Sequence, residues 1–202
     1  MSTQPRPAVC TARLGGVVAS AGVLAATIVV TGLLTPGYRP LVDAVSRLGS
    51  RDEPHASLLR VGLVLYGMLV VAGAGALGRS LPGRERVLAF LVGGFGVASI
   101  VAGLAPKDPP GSTTHTLISR IHVDADIVGG AMLIAAMALV ARCAHTRADR
   151  ASALAVGVFT LSGVVVFPFT WGAAPYGLIE LTLLATASVW LAGLATRALI
   201  RS

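Results

Sequence analysis

Six apolar runs, near positions 14–34, 57–78, 87–105, 119–141, 152–171 and 176–199, account for most of the chain. Each is close to the ~20 residues that a helix needs to cross a bilayer. Within hydrocarbon every backbone N–H and C=O must find a partner in the protein, so runs of this length can only be helices. The expected fold class is all-α: a polytopic membrane bundle of six transmembrane helices, with a short amphipathic helix in the first outer loop. Charged residues make up 12% of the chain, about half the usual share of a soluble domain. The mean hydropathy of +0.80 agrees. Residues 1–13, polar and carrying Arg6 and Arg13, read as a cytoplasmic disordered tail, and 14–202 as one six-helix domain. The first run is long for the apolar part of a signal peptide, and no small-residue cleavage site follows it, so it reads as a retained helix.

An even number of spans places both termini on one side, and the basic residues say which. The N-terminal tail, 79–86, 142–150 and the C-terminal end hold ten Lys/Arg. The opposite side holds six, Arg39, Arg47, Arg51, Arg60, Lys107 and Arg120, offset by Asp43, Asp52, Glu53 and Asp108. Both termini are expected in the cytoplasm of a bacterial inner membrane. The net charge of +7 is explained in the same way. No basic cluster interleaved with aromatics points to nucleic acid. Cys10 and Cys143 suggest no disulfide framework, and no Cys/His spacing suggests zinc, so neither cofactor nor metal is expected.

Small residues recur in the spans: Gly73, Gly75 and Gly78, then Gly93, Gly94, Gly96 and the Ser99/Gly103 pair, then Gly129 and Gly130. They predict close backbone approach between helices. Pro168, between Phe167 and Phe169, predicts a kink in the fifth span. Trp171 and Tyr176 bracket the following turn as interfacial anchors.

The polar residues gather on the outer side. In the fourth span His115, Ser119, His122 and Asp126 follow helical spacing on one face, and Arg120 and Asp124 can pair at i, i+4. Asp126 is a carboxylate inside a membrane-length segment, where such a group faces the bundle interior or a wet cavity. In the first outer loop, Leu41, Val42, Val45 and Leu48 oppose Arg39, Asp43, Ser46 and Ser50, the pattern of an amphipathic helix ending at Gly49. Asp43 and Arg47 are an i, i+4 pair. Glu180 lies one turn inside the sixth span and needs a cation or a proton. Arg39, Arg47 and Arg120 are the expected partners of the outer acids. Ser46, Arg47, Asp108, His122 and Glu180 are expected to cluster, as a binding site or as a clasp holding the loop over the helices. On the inner side His145, Asp149 and Glu85 read as solvated loop residues.

Ser46-Arg47-Leu48-Gly49 after the first span, Pro106-Lys107-Asp108 after the third, His122 in the fourth, and Gly177 with Glu180 in the sixth carry a resemblance. In order and spacing the chain resembles the DUF998 family of bacterial six-helix membrane proteins, distantly akin to Frag1/DRAM/Sfk1-type membrane proteins. The resemblance implies a multipass inner-membrane protein without an assigned reaction. It does not extend to His115, Asp124 or Asp126.

Three functions fit these residues. The first is binding of a lipid headgroup, or of a membrane protein partner, in an outer-facing polar cavity formed by Arg39, Asp43, Ser46, Arg47, His115, Arg120, His122, Asp126 and Glu180. The second is a membrane hydrolase or transferase with His122, Asp126, Glu180 and Asp108 as catalytic candidates, although HExxH is absent. The third is a small transporter using Asp126 as a relay, although no inverted repeat stands out. Haem would want paired histidines within the spans, and only His122 is suitably placed. The topology is directly testable: a membrane-impermeant thiol reagent should spare Cys10 and Cys143 in intact cells and label Ser112→Cys, and the opposite pattern inverts the assignment.

Overall fold

The computed structural model describes residues 8–144, 146–166 and 176–200. Among them are six long helices: α1 (Ala8–Leu34), α2 (Ala56–Gly78), α3 (Glu85–Leu104), α4 (Leu117–Cys143), α5 (Arg147–Val166) and α6 (Tyr176–Ile200). All six are long and apolar enough to span a membrane. Each packs against its neighbours in sequence, and α6 closes back on α1, so the helices form a ring in chain order. Short connections between successive spans make neighbours antiparallel. The ring has a terminal end, where Ala8 and Ile200 lie, and a far end, where the 35–55 and 105–116 loops lie. The expected kink at Pro168, its neighbours Phe167 and Phe169, the anchor Trp171, and His145 lie outside the described residues.

Two helices begin five or six residues before their hydrophobic runs. Helix α1 starts at Ala8, within the segment whose composition suggested a tail, and Cys10 is buried there. Arg79 at the end of α2 donates to Cys10 Sγ at 3.2 Å. Because Cys10 is buried, its silence toward a thiol reagent carries no topological information; the half-buried Cys143 does. Helix α5 starts at Arg147, and its first turn contains Asp149, which is 4% exposed and pairs with Arg197 of α6 at 2.9 Å. Asp149 is therefore not the solvated loop residue its charge suggested. Its partner lies 48 positions away, beyond the reach of any helical spacing rule.

The ring encloses a filled centre. Tyr66 of α2, 2% exposed, meets Phe95 of α3 edge to face at 6.0 Å and bonds through its hydroxyl to Ser188 of α6 at 3.3 Å. Glycine makes the α2–α3 contact possible. A Cβ on Gly67 would strike the Gly96 carbonyl and lie 2.9 Å from Ile100 N; one on Gly103 would lie 2.7 Å from the Arg60 carbonyl. Gly73 admits Val17 of α1. Gly75 and Gly130, by contrast, face open space. Without a hydrophobic force between helices in lipid, such close van der Waals contact is what holds spans together. Gly67→Ala should therefore cost about 1–3 kcal/mol through overpacking, read as thermal unfolding in detergent. Gly130→Ala, with space to fill, should be neutral or slightly stabilising.

Candidate functional site

The last carbonyls of a helix have no partner within it, and near a bilayer water does not supply one readily. At the far end of α3 four of them are met by two basic side chains. Arg60 of α2 donates to the carbonyls of Gly103 and Leu104, each at 3.2 Å. His122 of α4 places Nδ1 2.9 Å from the Ala102 carbonyl and 2.8 Å from that of Ala105. Both partners only accept, so Nδ1 carries the hydrogen. His122 Nε2 then faces Asp126 Oδ2 at 3.3 Å. That contact is attractive only if one proton lies between them, so the pair is imidazolium with carboxylate, or imidazole with carboxylic acid. His122 is buried, whereas the Asp126 side chain is 56% exposed.

Glu180 does the complementary job for the first far-end loop. Its carboxylate accepts from the backbone N–H of Val45 at 2.6 Å and of Ser46 at 3.2 Å, the opening donors of a short 3-10 helix, Val45–Gly49. In return the loop closes the start of α6: Gly177 N donates to the Val42 carbonyl and Leu178 N to the Leu41 carbonyl, both at 3.3 Å. Gly177 is required here, because a Cβ would collide with the Asp43 and Pro40 carbonyls. Lys107, from the second far-end loop, donates to Ser46 Oγ at 2.9 Å, close enough for its charge to act on Glu180 and His122.

The amphipathic helix expected over 39–50 is a turn at 39–43 followed by the five-residue 3-10 helix. Its apolar side, Val45 and Leu48, is buried in the bundle rather than laid in an interface, while Leu41 stays exposed. Asp43 fixes the turn. It accepts from Arg39 N at 2.7 Å and pairs with Arg39 at 3.2 Å and with Arg47 at 3.1 Å. Burial works against its charge, but the bonds from Arg39 and the charges of both arginines outweigh it and hold the carboxyl below its ordinary range. The bond to Asp43 in turn holds Arg39 more firmly charged. Beside them Tyr38 is pushed up to about 12, first by burial and then by the negative charges of Glu180 and Asp43.

Asp108 caps the other side. It accepts from Thr116 N at 2.7 Å and from Thr116 Oγ1 at 2.8 Å, and its own N–H donates to Ser119 Oγ at 3.2 Å. The backbone bond from Thr116 is the main cause of its depressed pKa, with Arg51 helping. Thr116 is the N-cap of α4, accepting from Ser119 N.

Of the expected cluster, then, Ser46 and Glu180 meet directly, and His122 shares the charge of Lys107 with them. Arg47 turns away to Asp43 and to Glu53 at 3.0 Å, and Asp108 serves α4. The expected arginine partners of Glu180 are replaced by backbone N–H groups and the field of Lys107. Arg120 and Asp124 are both exposed and form no ion pair with each other or with other described residues. His115 is exposed in the loop before α4. Among the described residues no group of three or more His, Cys, Asp or Glu is placed to hold a metal ion. Sequence reasoning missed Lys107, Arg60 and Arg51 as working residues. The signal for Arg60 was position: a basic residue one turn from a helix end, beside a neighbour whose carbonyls need donors.

Among the described residues an open recess lies between two helices on the outside of the ring. Between α3 and α4 runs an apolar groove of ≈ 710 Å³, lined on α3 by Phe90, Gly93, Gly94 and Val97 and on α4 by Ile121, Asp124, Val128 and Met132. The α3 lining extends from Ala89 to Val101, about 18 Å at 1.5 Å per residue, close to the ~15 Å depth of one leaflet's hydrocarbon.

Six membrane-length helices with their polar groups gathered at one end define a multipass integral membrane protein. The chain belongs to the DUF998 family, described as a protein of unknown function, whose model matches residues 18–197. No curated protein and no solved structure matches it.

The role of Glu180 separates by mutation. Glu180→Gln keeps the shape but can satisfy only one of the two N–H groups well, so stability in detergent should fall by about 1–3 kcal/mol. An unchanged unfolding temperature with altered ligand retention would show instead that the carboxylate serves a ligand.

Proposed function

We propose that the protein binds a membrane phospholipid on the flank formed by α3 and α4, with an acyl chain in the groove and the phosphate at Arg120. The volume of that groove, ≈ 710 Å³, carries the reading, because it lies within the range of ligand pockets. The groove is apolar and open to lipid along its length. Arg120 stands near the start of α4 and has no ion-pair partner among the described residues, which leaves its guanidinium for a phosphate. The far end then faces outward from a bacterial inner membrane, with the termini in the cytoplasm, in keeping with the distribution of arginines. This moves the binding site from the first loop, whose Arg39 and Arg47 are taken by Asp43 and Glu53, to the side of α4.

The hydrolase and transporter readings draw on the same residues with less support. His122 and Glu180 spend their polar atoms on backbone groups and on Asp126. To bind a metal or a substrate, either would have to uncap a helix end.

The test is lipid retention. Val97 lines the groove and is 51% exposed, so Val97→Trp fills the space without disturbing the core. Protein purified in mild detergent should carry phospholipid at a defined stoichiometry by native mass spectrometry. The variant should lose it at an unchanged unfolding temperature. Equal lipid on both proteins would remove the groove from consideration.

A further inference from the structure

Every acid within a span except one has a partner in the protein. Asp126 faces His122, Asp149 pairs with Arg197, Glu180 holds the Val45 and Ser46 amides, and Glu85 accepts from Gly83 N at 2.9 Å. Asp124 is the exception. It is exposed, it lines an apolar groove, and among the described residues it makes neither a hydrogen bond nor an ion pair. It is the eighth residue of a 27-residue helix, about 10 Å along the axis from the start. A helix of that length overhangs the ~30 Å hydrocarbon core, which puts Asp124 just inside the boundary and Arg120, one turn nearer the end, at the headgroup level. A lone carboxylate at that depth is costly unless it is neutralised. The spare cation on its own helix does not pair with it.

We propose that Asp124 holds the ammonium group of an aminophospholipid whose phosphate lies at Arg120 and whose acyl chain occupies the groove. The proposal rests on the phospholipid reading above and names the headgroup. The bilayer itself supplies the missing cation: an ethanolamine or serine headgroup carries a primary ammonium two carbons from its phosphate ester. Residues at i and i+4 on a helix stand about 5–6 Å apart, a separation that such a linker bridges. Acid and base then serve one zwitterion, the phosphate taking the guanidinium and the ammonium tipping into the groove toward the carboxylate. The arrangement selects by charge and by hydrogen-bond donors. A glycerol headgroup offers Asp124 no cation, and a choline headgroup offers a cation without an N–H.

The experiment titrates the delipidated full chain with dioleoyl phosphatidylethanolamine, phosphatidylcholine and phosphatidylglycerol, and reads bound lipid by native mass spectrometry. The wild type should prefer the ethanolamine lipid over the glycerol lipid by about tenfold, the worth of one charge-assisted contact. Asp124→Asn should erase that preference while leaving phosphatidylglycerol binding intact, and Asp124→Glu should restore most of it. Arg120→Gln should weaken all three lipids together. Asp124 touches no described partner, so these variants should unfold at the wild-type temperature; if Asp124→Asn unfolds lower, the carboxylate has a structural partner and the proposal fails. Equal binding of the ethanolamine and glycerol lipids by the wild type, or a preference that survives in Asp124→Asn, overturns the ammonium assignment alone. No saturable binding of any of the three overturns the phospholipid reading beneath it. The same spectra count protein copies, and a wild-type dimer that Asp124→Asn dissociates would show that a second chain, not a lipid, covers the carboxylate.

Discussion

Helix ends inside or beside a bilayer leave peptide groups that neither lipid nor the helix itself can satisfy, and this constraint organises the far end of the protein. The carbonyls of Ala102, Gly103, Leu104 and Ala105 close α3, and all four are answered by Arg60 and His122. Because those side chains come from α2 and α4, each cap is also a tie between neighbouring helices. The same holds for Glu180, which reaches from α6 to the opening amides of the 3-10 helix while that loop's carbonyls close α6. A polar set that looks like an active site on paper is thus largely the means by which α2, α3, α4, α6 and the first far-end loop are fixed to one another where lipid cannot help.

The ties depend in turn on backbone approach. Glu180 reaches Val45 because the loop rests directly on Gly177, and His122 reaches Ala102 because α3 and α4 are brought close where Gly129 meets Ala98. The α2–α3 contact through Gly67, Gly96 and Gly103 positions Arg60 over the end of α3 in the same way. Small residues and polar caps are therefore one system: the first bring the helices into close contact, and the second satisfy the peptide groups left at their ends. Removing either should loosen the other.

Much of this was legible in the sequence. Length and apolarity gave six spans, and helical spacing put His122 with Ser119 on the buried side of α4. The order of short motifs brought Ser46 and Glu180 together. What stayed hidden has several physical causes. Charge pattern suggests side chain to side chain pairing, so Glu180 pointed to Arg39, Arg47 or Arg120. A buried carboxylate is served as well by two backbone N–H groups, and those leave no trace in composition. The spacing of Arg120 and Asp124 promised a pair that does not form, since i, i+4 places two groups within reach and is worth only about 0.2–0.5 kcal/mol. Asp149 failed to read as buried for the opposite reason: its partner Arg197 is distant in sequence, and a charge beside a loop looks solvated. The loop helix was visible as an apolar stripe, but 39–50 is interrupted by the Asp43 turn, which a stripe cannot reveal.

The groove between α3 and α4 belongs to the same logic of packing. Helix α3 presents small residues on two sides. Toward α2 these are filled by close backbone contact, with Gly96 against Val71 and the Gly67 carbonyl. Toward α4, Gly93 and Gly94 line the groove, and Met132 leans over Gly94. A leucine on either helix would close such a gap in a bundle built only for stability, since voids forfeit dispersion contacts. Instead the gap stays open over about a leaflet's depth and ends at the one span acid without a described protein partner. Dispersion then calls for an apolar chain to fill the groove, and electrostatics calls for a cation beside Asp124. A lipid bearing an ammonium meets both demands with one molecule, while Arg60, His122 and Glu180 are already committed to the helix ends they close.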